Sequence, residues 1–168
     1  MHKLVEIAKK TVEEYVKTGK VLSLAEPPGP DLLEKAGVFV SIKKHGNLRG
    51  CIGTFSPGTP NIAAETIANA VSAATKDPRF NPVIEDELAE LVYSVDVLTA
   101  PELIHDIAEL DPKKYGIILK SGYKSVLLLP DLEGVDTVED QVRITRMKAG
   151  IFPDDKTEIY RFAVKRYS

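Results

Sequence analysis

The sequence predicts an α+β fold of largely antiparallel sheets with packed helices, and three observations predict it. Two stretches, 38–54 and 116–129, place β-branched and aliphatic residues on both sides of a glycine-containing turn, which is the signature of a hairpin. Three others, near 2–18, 60–76 and 138–149, carry apolar residues at helical spacing. Most connections between the strands are too short for the crossovers that parallel pairing demands.

Taken in order, Leu4, Val5, Ala8, Val12, Tyr15 and Val16 form one face of a first helix, with Gly19 placed to end it. Residues 21–24 read as a short strand, after which Pro27, Pro28, Gly29 and Pro30 force an extended connection. Asp31 is placed to cap a turn or two of helix before Gly37. The first hairpin follows, as strand 38–42, turn His45-Gly46-Asn47 and strand 48–54. Thr59 then reads as an N-cap with Pro60 at the first helical position, and alanines between 63 and 74 let that helix lie close on a sheet. Pro78 disfavours helical geometry at Asp77 and stops it.

A turn of helix is predicted at 85–89 and an alternating strand at 91–98, closed by Pro101. The second hairpin runs through Ser121-Gly122-Tyr123. Thr137 and Asp140 open a third helix that Gly150 terminates, and 158–167 reads as one final alternating strand.

With 168 residues, 43% of them hydrophobic, the chain can bury a core without a disulfide or structural metal. The formal charge of −3 opposes generic binding to a phosphate backbone, which needs many Lys and Arg contacts acting together. A lone cysteine, charges distributed through residues 1–16 and the absence of any long apolar run point to a cytoplasmic protein without a membrane span. Abundant Glu and Lys, a single glutamine and no Trp match heat-adapted composition.

The stretch Leu48-Arg49-Gly50-Cys51-Ile52-Gly53 departs most from ordinary strand chemistry, because Gly50 and Gly53 imply close approach by another group. Under one reading a strand or the alanine-rich helix crowds this backbone and Cys51 is a small buried hydrophobe. Under the other, Arg49 and Cys51 share a face, the guanidinium favours a thiolate, and Cys51 is a nucleophile with His45 near enough across the turn to serve as its base. Hairpin parity discriminates. An even turn sets Cys51 with Val38, Val40 and Ile42; a three-residue turn sets it with Ser41 and Lys43.

A second cluster, Asp77-Pro78-Arg79-Phe80-Asn81-Pro82, joins an acid, a base and an aromatic ring on a rigid turn. Turn chemistry accounts for Asp77 and the prolines. Arg79 and Phe80 suit either an internal ion pair with Asp77 or recognition of a carboxylate or phosphate. His2, His45 and His105 are too scattered to form a metal site, and no phosphate-loop or dinucleotide glycine motif is present, so no cofactor is implied. Basic residues at 43–49 and 143–148 read as solvated faces, with a nucleotide patch as the alternative.

Together Gly37-Val38-Phe39-Val40, the hexapeptide 48–53 with Thr54-Phe55, Asp77-Pro78-Arg79-Phe80 and Lys148-Ala149-Gly150 resemble the AMMECR-type family, known in prokaryotes as AmmeMemoRadiSam system protein A. The resemblance implies one AMMECR-type domain over 1–168, with two associated lobes in one compact unit. It also implies Memo-like and radical SAM proteins as partners, while attaching no reaction to the family. Asn81 departs from the proline usual after the Asp-Pro-Arg-Phe motif. The leading expectation is an accessory or ligand-binding component whose groove is formed by Arg49, Gly50, Gly53, Asp77, Arg79, Phe80 and His45. The alternatives are a thiol-dependent enzyme using Cys51, and a nucleotide- or RNA-binding module.

Overall fold

The computed structural model describes residues 1–168, and the chain divides into two compact units, Met1–Val97 with Lys165–Ser168, and Leu98–Val164. Both sheets pair antiparallel wherever register is defined, so the α+β expectation holds.

In the first unit, helix α1 (Lys3–Thr18) starts where His2 Nδ1 accepts from the Leu4 N–H at 3.2 Å and ends on Gly19 at φ 73°. Strands β1 (Val38–Lys44), β2 (Asn47–Thr54), β3 (Leu91–Leu98) and β8 (Val164–Tyr167) form a sheet in the order β2-β1-β3-β8. Helix α2 (Ile62–Thr75) lies against β1 and β2. Apolar residues of α1 and α2 meet Val38, Val40, Ile42, Tyr93 and Val95 in one core. Because strand side chains alternate, the opposite sheet face carries Phe39, Ser41, Cys51, Ser94 and Asp96.

Sheet and helix contact so closely at Gly50 that a β-carbon there would stand 2.2 Å from the Ala73 carbonyl oxygen. Gly53 is filled from the other side, since its β-carbon would stand 2.2 Å from the Phe39 ring. Both glycines of the hexapeptide therefore have a packing neighbour that excludes any side chain.

The second unit holds β4 (Glu102–Leu103), β5 (Gly116–Ser121), β6 (Lys124–Leu128), α3 (Val138–Ala149) and β7 (Glu158–Phe162), in the sheet order β4-β7-β5-β6. Its core joins Ile117 and Leu119 of β5 with Val126 and Leu128 of β6, and with Val135 and Ile151 beside α3. As expected, Thr137 caps α3 by accepting from the Asp140 N–H at 3.1 Å, and Gly150 closes it at φ 65°. Gln141 is fully buried and donates to the Tyr115 carbonyl at 2.8 Å.

Several expectations change in detail. Residues 21–24 form no strand, and Asp31 lies within a single turn of 3-10 helix, Pro30–Leu32. Asn61, not Thr59, caps α2, because Thr59 is engaged by the buried Glu65 carboxylate through both its N–H and its hydroxyl. Stretch 158–167 is two strands interrupted at Ala163, β7 in one sheet and β8 in the other. An alternating pattern suits half-buried strands in any sheet, so it does not reveal such a break.

Both hairpin turns contain two residues. His45 and Gly46 join β1 to β2 with φ values of 51° and 79°, the left-handed pair that matches strand twist in a tight hairpin.

Candidate functional site

An even turn would by itself set Cys51 opposite Val40, on the core face. Instead the register passes from Lys43↔Leu48 to Ile42↔Gly50, so Arg49 is the extra residue of a β-bulge. That insertion moves every later residue of β2 by one position, and Cys51 stands opposite Ser41. The Ser41 hydroxyl and the Cys51 thiol are 3.1 Å apart, and the cysteine is half-buried.

At the bulge the Arg49 side chain is directed to the 81–87 segment. Its Nε donates to Glu87 Oε1 at 2.9 Å and its Nη2 to Glu87 Oε2 at 2.9 Å, a bidentate pair. Nη1 and Nη2 also donate to the carbonyls of Asn81 and Pro82 at 2.8 and 3.2 Å. With 15% of its side chain exposed, Arg49 is committed to holding this loop. Glu87 belongs to a 3-10 helix, Glu85–Glu90, and accepts in addition from the Ile84 N–H and from Lys44. The Arg49 bonds, opposed by burial, bring its carboxyl down to about 2.

Asp77 makes the second junction. Its side chain is 2% exposed, and Oδ2 accepts from the Cys51 N–H at 3.0 Å, on the edge strand of the sheet. Arg79 Nε and Nη2 donate to the same carboxylate at 3.0 and 2.7 Å, and Nη2 reaches the Cys51 carbonyl at 3.4 Å. One carboxylate and one guanidinium thus bond the two backbone groups that Cys51 turns away from β1, in the manner of an adjoining strand. The Arg79 bonds lower the Asp77 carboxyl far below the usual carboxylate range, against the opposing effect of burial.

Arg79 remains 55% exposed, and no bond within the protein engages its Nη1. Its guanidinium carbon lies 5.5 Å from the centre of the Phe80 ring, within cation–π range. The glycine-flanked strand and the proline-bounded loop therefore meet, joined by both arginines and by Asp77.

The chemistry at Cys51 differs from the thiolate expectation. Burial pushes the thiol up, and the Ser41 hydrogen bond and the Arg79 charge oppose this without overcoming it. The nearby guanidinium is that of Arg79, with Arg49 turned to Glu87. His45 Nε2 lies 3.3 Å from Glu90 Oε2, and no hydrogen bond connects it to Cys51. The Ser41 hydroxyl is the side-chain partner of the thiol, and no imidazole or carboxylate is hydrogen-bonded to it. Lys44 also pairs with Glu87 and Glu90, so much of the basic charge around this turn is met by acids of the 3-10 helix.

The model of the AMMECR1 family matches residues 5–167. The chain belongs to the AMMECR1 family. A relative from Thermotoga maritima is 53% identical over 169 residues, covering 99% of this chain and 97% of the relative. A Clostridium acetobutylicum relative is 47% identical over 169 residues, covering 97% of this chain but 35% of that longer protein. The crystal structure of the uncharacterized protein PH0010 from Pyrococcus horikoshii superposes with a TM-score of 0.87 at 36% identity, over 97% of this chain and 88% of that one.

Within this AMMECR1 chain, sequence reasoning missed Glu87 and the carbonyls of residues 81 and 82, which complete the junction. Glu87 lies 38 positions from Arg49 in a segment predicted only as a turn of helix, and nothing local marks it as a partner. Parity tied Ser41 to a three-residue turn, whereas here the turn has two residues and the bulge at Arg49 brings Cys51 beside Ser41. Asn81 supplies its backbone carbonyl to Arg49, a bond that does not depend on its side chain. No helix of the chain is long and apolar enough to cross a membrane.

Proposed function

We propose that this AMMECR1 chain is a cytoplasmic accessory domain that recognises a partner through the edge formed by Arg79 and Phe80. The Memo-like and radical SAM proteins implied by the family resemblance are the partners of that reading. The observation that carries it is the division of labour between the two arginines. Arg49 is mostly buried and engages all three of its nitrogens in internal bonds, whereas Arg79 is fixed along one side by a buried carboxylate and keeps an unused amino group beside an aromatic ring. A guanidinium held in one orientation loses little side-chain freedom on binding, which is where much of the cost of recognition arises. Its chemistry suits a carboxylate, on a protein or on a small ligand, or a phosphate.

The Clostridium relative supports an adjacent partner, since there the matching region forms about a third of a longer polypeptide. The raised thiol argues against the thiol-dependent alternative. The pairing of Lys44 and His45 with Glu90 weakens the nucleotide alternative.

The test is capture of a Memo-like protein and a radical SAM protein from the same organism by the wild type, Arg79→Lys and Phe80→Ala. A parallel thermal-shift screen uses nucleotides and small carboxylates. Lysine keeps a charge for Asp77 but cannot present the planar fork. Capture, or a ligand-induced shift, that is lost in both variants while their folds persist is the expected result. Undiminished binding by both variants refutes the assignment.

A further inference from the structure

A separate surface belongs to the second unit. Helix α3 borders an apolar groove of about 370 Å³ lined by Ile107, Val138, Val142, Ile151 and Pro153. Met147 lines it too and is 71% exposed, as is the neighbouring Phe152. Large apolar side chains held this far into solvent beside a groove mark an interaction surface.

The charges along the helix select the occupant. Glu139 stands in the first turn and Arg146 in the last, and both line the groove. Seven positions separate them, about two turns or roughly 10 Å along one side of the helix. Neither has an ion-pair partner within the chain, for Arg146 donates only to the Phe152 carbonyl and the Thr157 hydroxyl. The midpoint of the pair lies between Val142 and Arg143, and the charge of Arg143 is matched by Asp140 at 3.1 Å. An acid at one end and an unmatched base at the other form a pattern that is complementary to itself when reversed.

We infer that α3 is the centre of a two-fold homodimer interface, in which a second copy of this chain packs its own α3 antiparallel. Glu139 of each copy then meets Arg146 of the other, and the exposed Met147 and Phe152 side chains fill the facing grooves. A two-fold axis makes the same patch serve both partners, and a reversed charge pair fixes their orientation. The antiparallel arrangement also opposes the helix dipoles favourably. This inference does not depend on the Arg79–Phe80 edge, which lies in the other unit.

Sedimentation equilibrium on the full chain tests it, with circular dichroism to verify folding. The wild type is expected to dimerise at micromolar concentrations, and Glu139→Lys, Arg146→Glu and Met147→Asp each to weaken dimerisation at least tenfold. Glu139 and Met147 have exposed side chains, so these variants remain informative if Arg146→Glu disturbs the 152–157 loop. The decisive arm mixes Glu139→Lys with Arg146→Glu. Each alone brings like charges together, whereas the mixed pair restores both contacts and is expected to form a heterodimer. A wild type monomeric at several hundred micromolar overturns the inference. So do dimers indifferent to all three substitutions, and a mixture that associates no better than its components. A monomeric wild type whose capture of a Memo-like protein is lost in Met147→Asp would assign the groove to that partner and equally overturn it.

Discussion

Replacing Arg49 by methionine keeps an unbranched apolar stem and removes every bond of the guanidinium. Glu87 then loses a bidentate partner at 2.9 and 2.9 Å, and the carbonyls of Asn81 and Pro82 lose a shared donor. The carboxylate, 13% exposed, retains the Ile84 N–H and Lys44, so it is not left wholly bare. A charge-assisted hydrogen bond contributes about 1.5–3 kcal/mol and the bonds of one group do not add, so the expected loss is about 2–4 kcal/mol. Urea unfolding followed by far-UV circular dichroism measures it. With a slope of roughly 2 kcal/mol/M, the midpoint is expected to fall by about 1–2 M. A double-mutant cycle with Glu87→Gln should return a coupling of about 1–3 kcal/mol. A loss below about 0.5 kcal/mol, or strict additivity with Glu87→Gln, would refute the assignment of Arg49 to loop anchoring and return it to the recognition surface.

Acid should loosen the same junction. Asp77 and Glu87 both titrate lower when folded than when unfolded, so their stabilisation is complete above about pH 5 and is lost as pH falls toward 2. For Glu87, with a folded value of about 2, the contribution is about 1–2 kcal/mol after allowance for solvent screening. Melting temperatures between pH 7 and 3 should fall less steeply in Glu87→Gln than in the wild type, and equal slopes would count against the ion pair. Iodoacetamide should alkylate Cys51 slowly at neutral pH, with an inflection above that of an exposed cysteine, and rapid labelling at pH 6–7 would revive the nucleophile reading. Gly50→Ala forces a carbon against the Ala73 carbonyl and should cost at least about 2 kcal/mol in urea unfolding, so a neutral result would mean that α2 can retreat from β2.

Much of this architecture was legible in the sequence because its signals are local. Gly19, Gly150 and Thr137 end or begin helices as their backbone chemistry requires, and each hairpin carries its glycine in the turn. The break at Ala163 was not legible, since alternation in 158–167 reports half-burial and not which sheet accepts the strand. Nor was the bulge at Arg49, a single insertion that reverses the face of Cys51 while leaving composition and periodicity unchanged. The proximity of the two motifs was an expectation, and Asp77 accepting from the Cys51 N–H is its physical form. Their roles differed from the pairing first drawn, because the arginine near the thiol comes from the loop and the arginine of the strand belongs to Glu87.

The central claim is that Asp77 holds Arg79 in place so that Arg79 and Phe80 can engage a partner. Titration calorimetry with a Memo-like protein, on wild type and Arg79→Lys of matched folding stability, tests it most directly. At least a tenfold weaker Kd is expected for the lysine variant, with its melting temperature within a few degrees of wild type. Equal affinities for the two proteins would show that the Arg79 guanidinium takes no part in partner recognition.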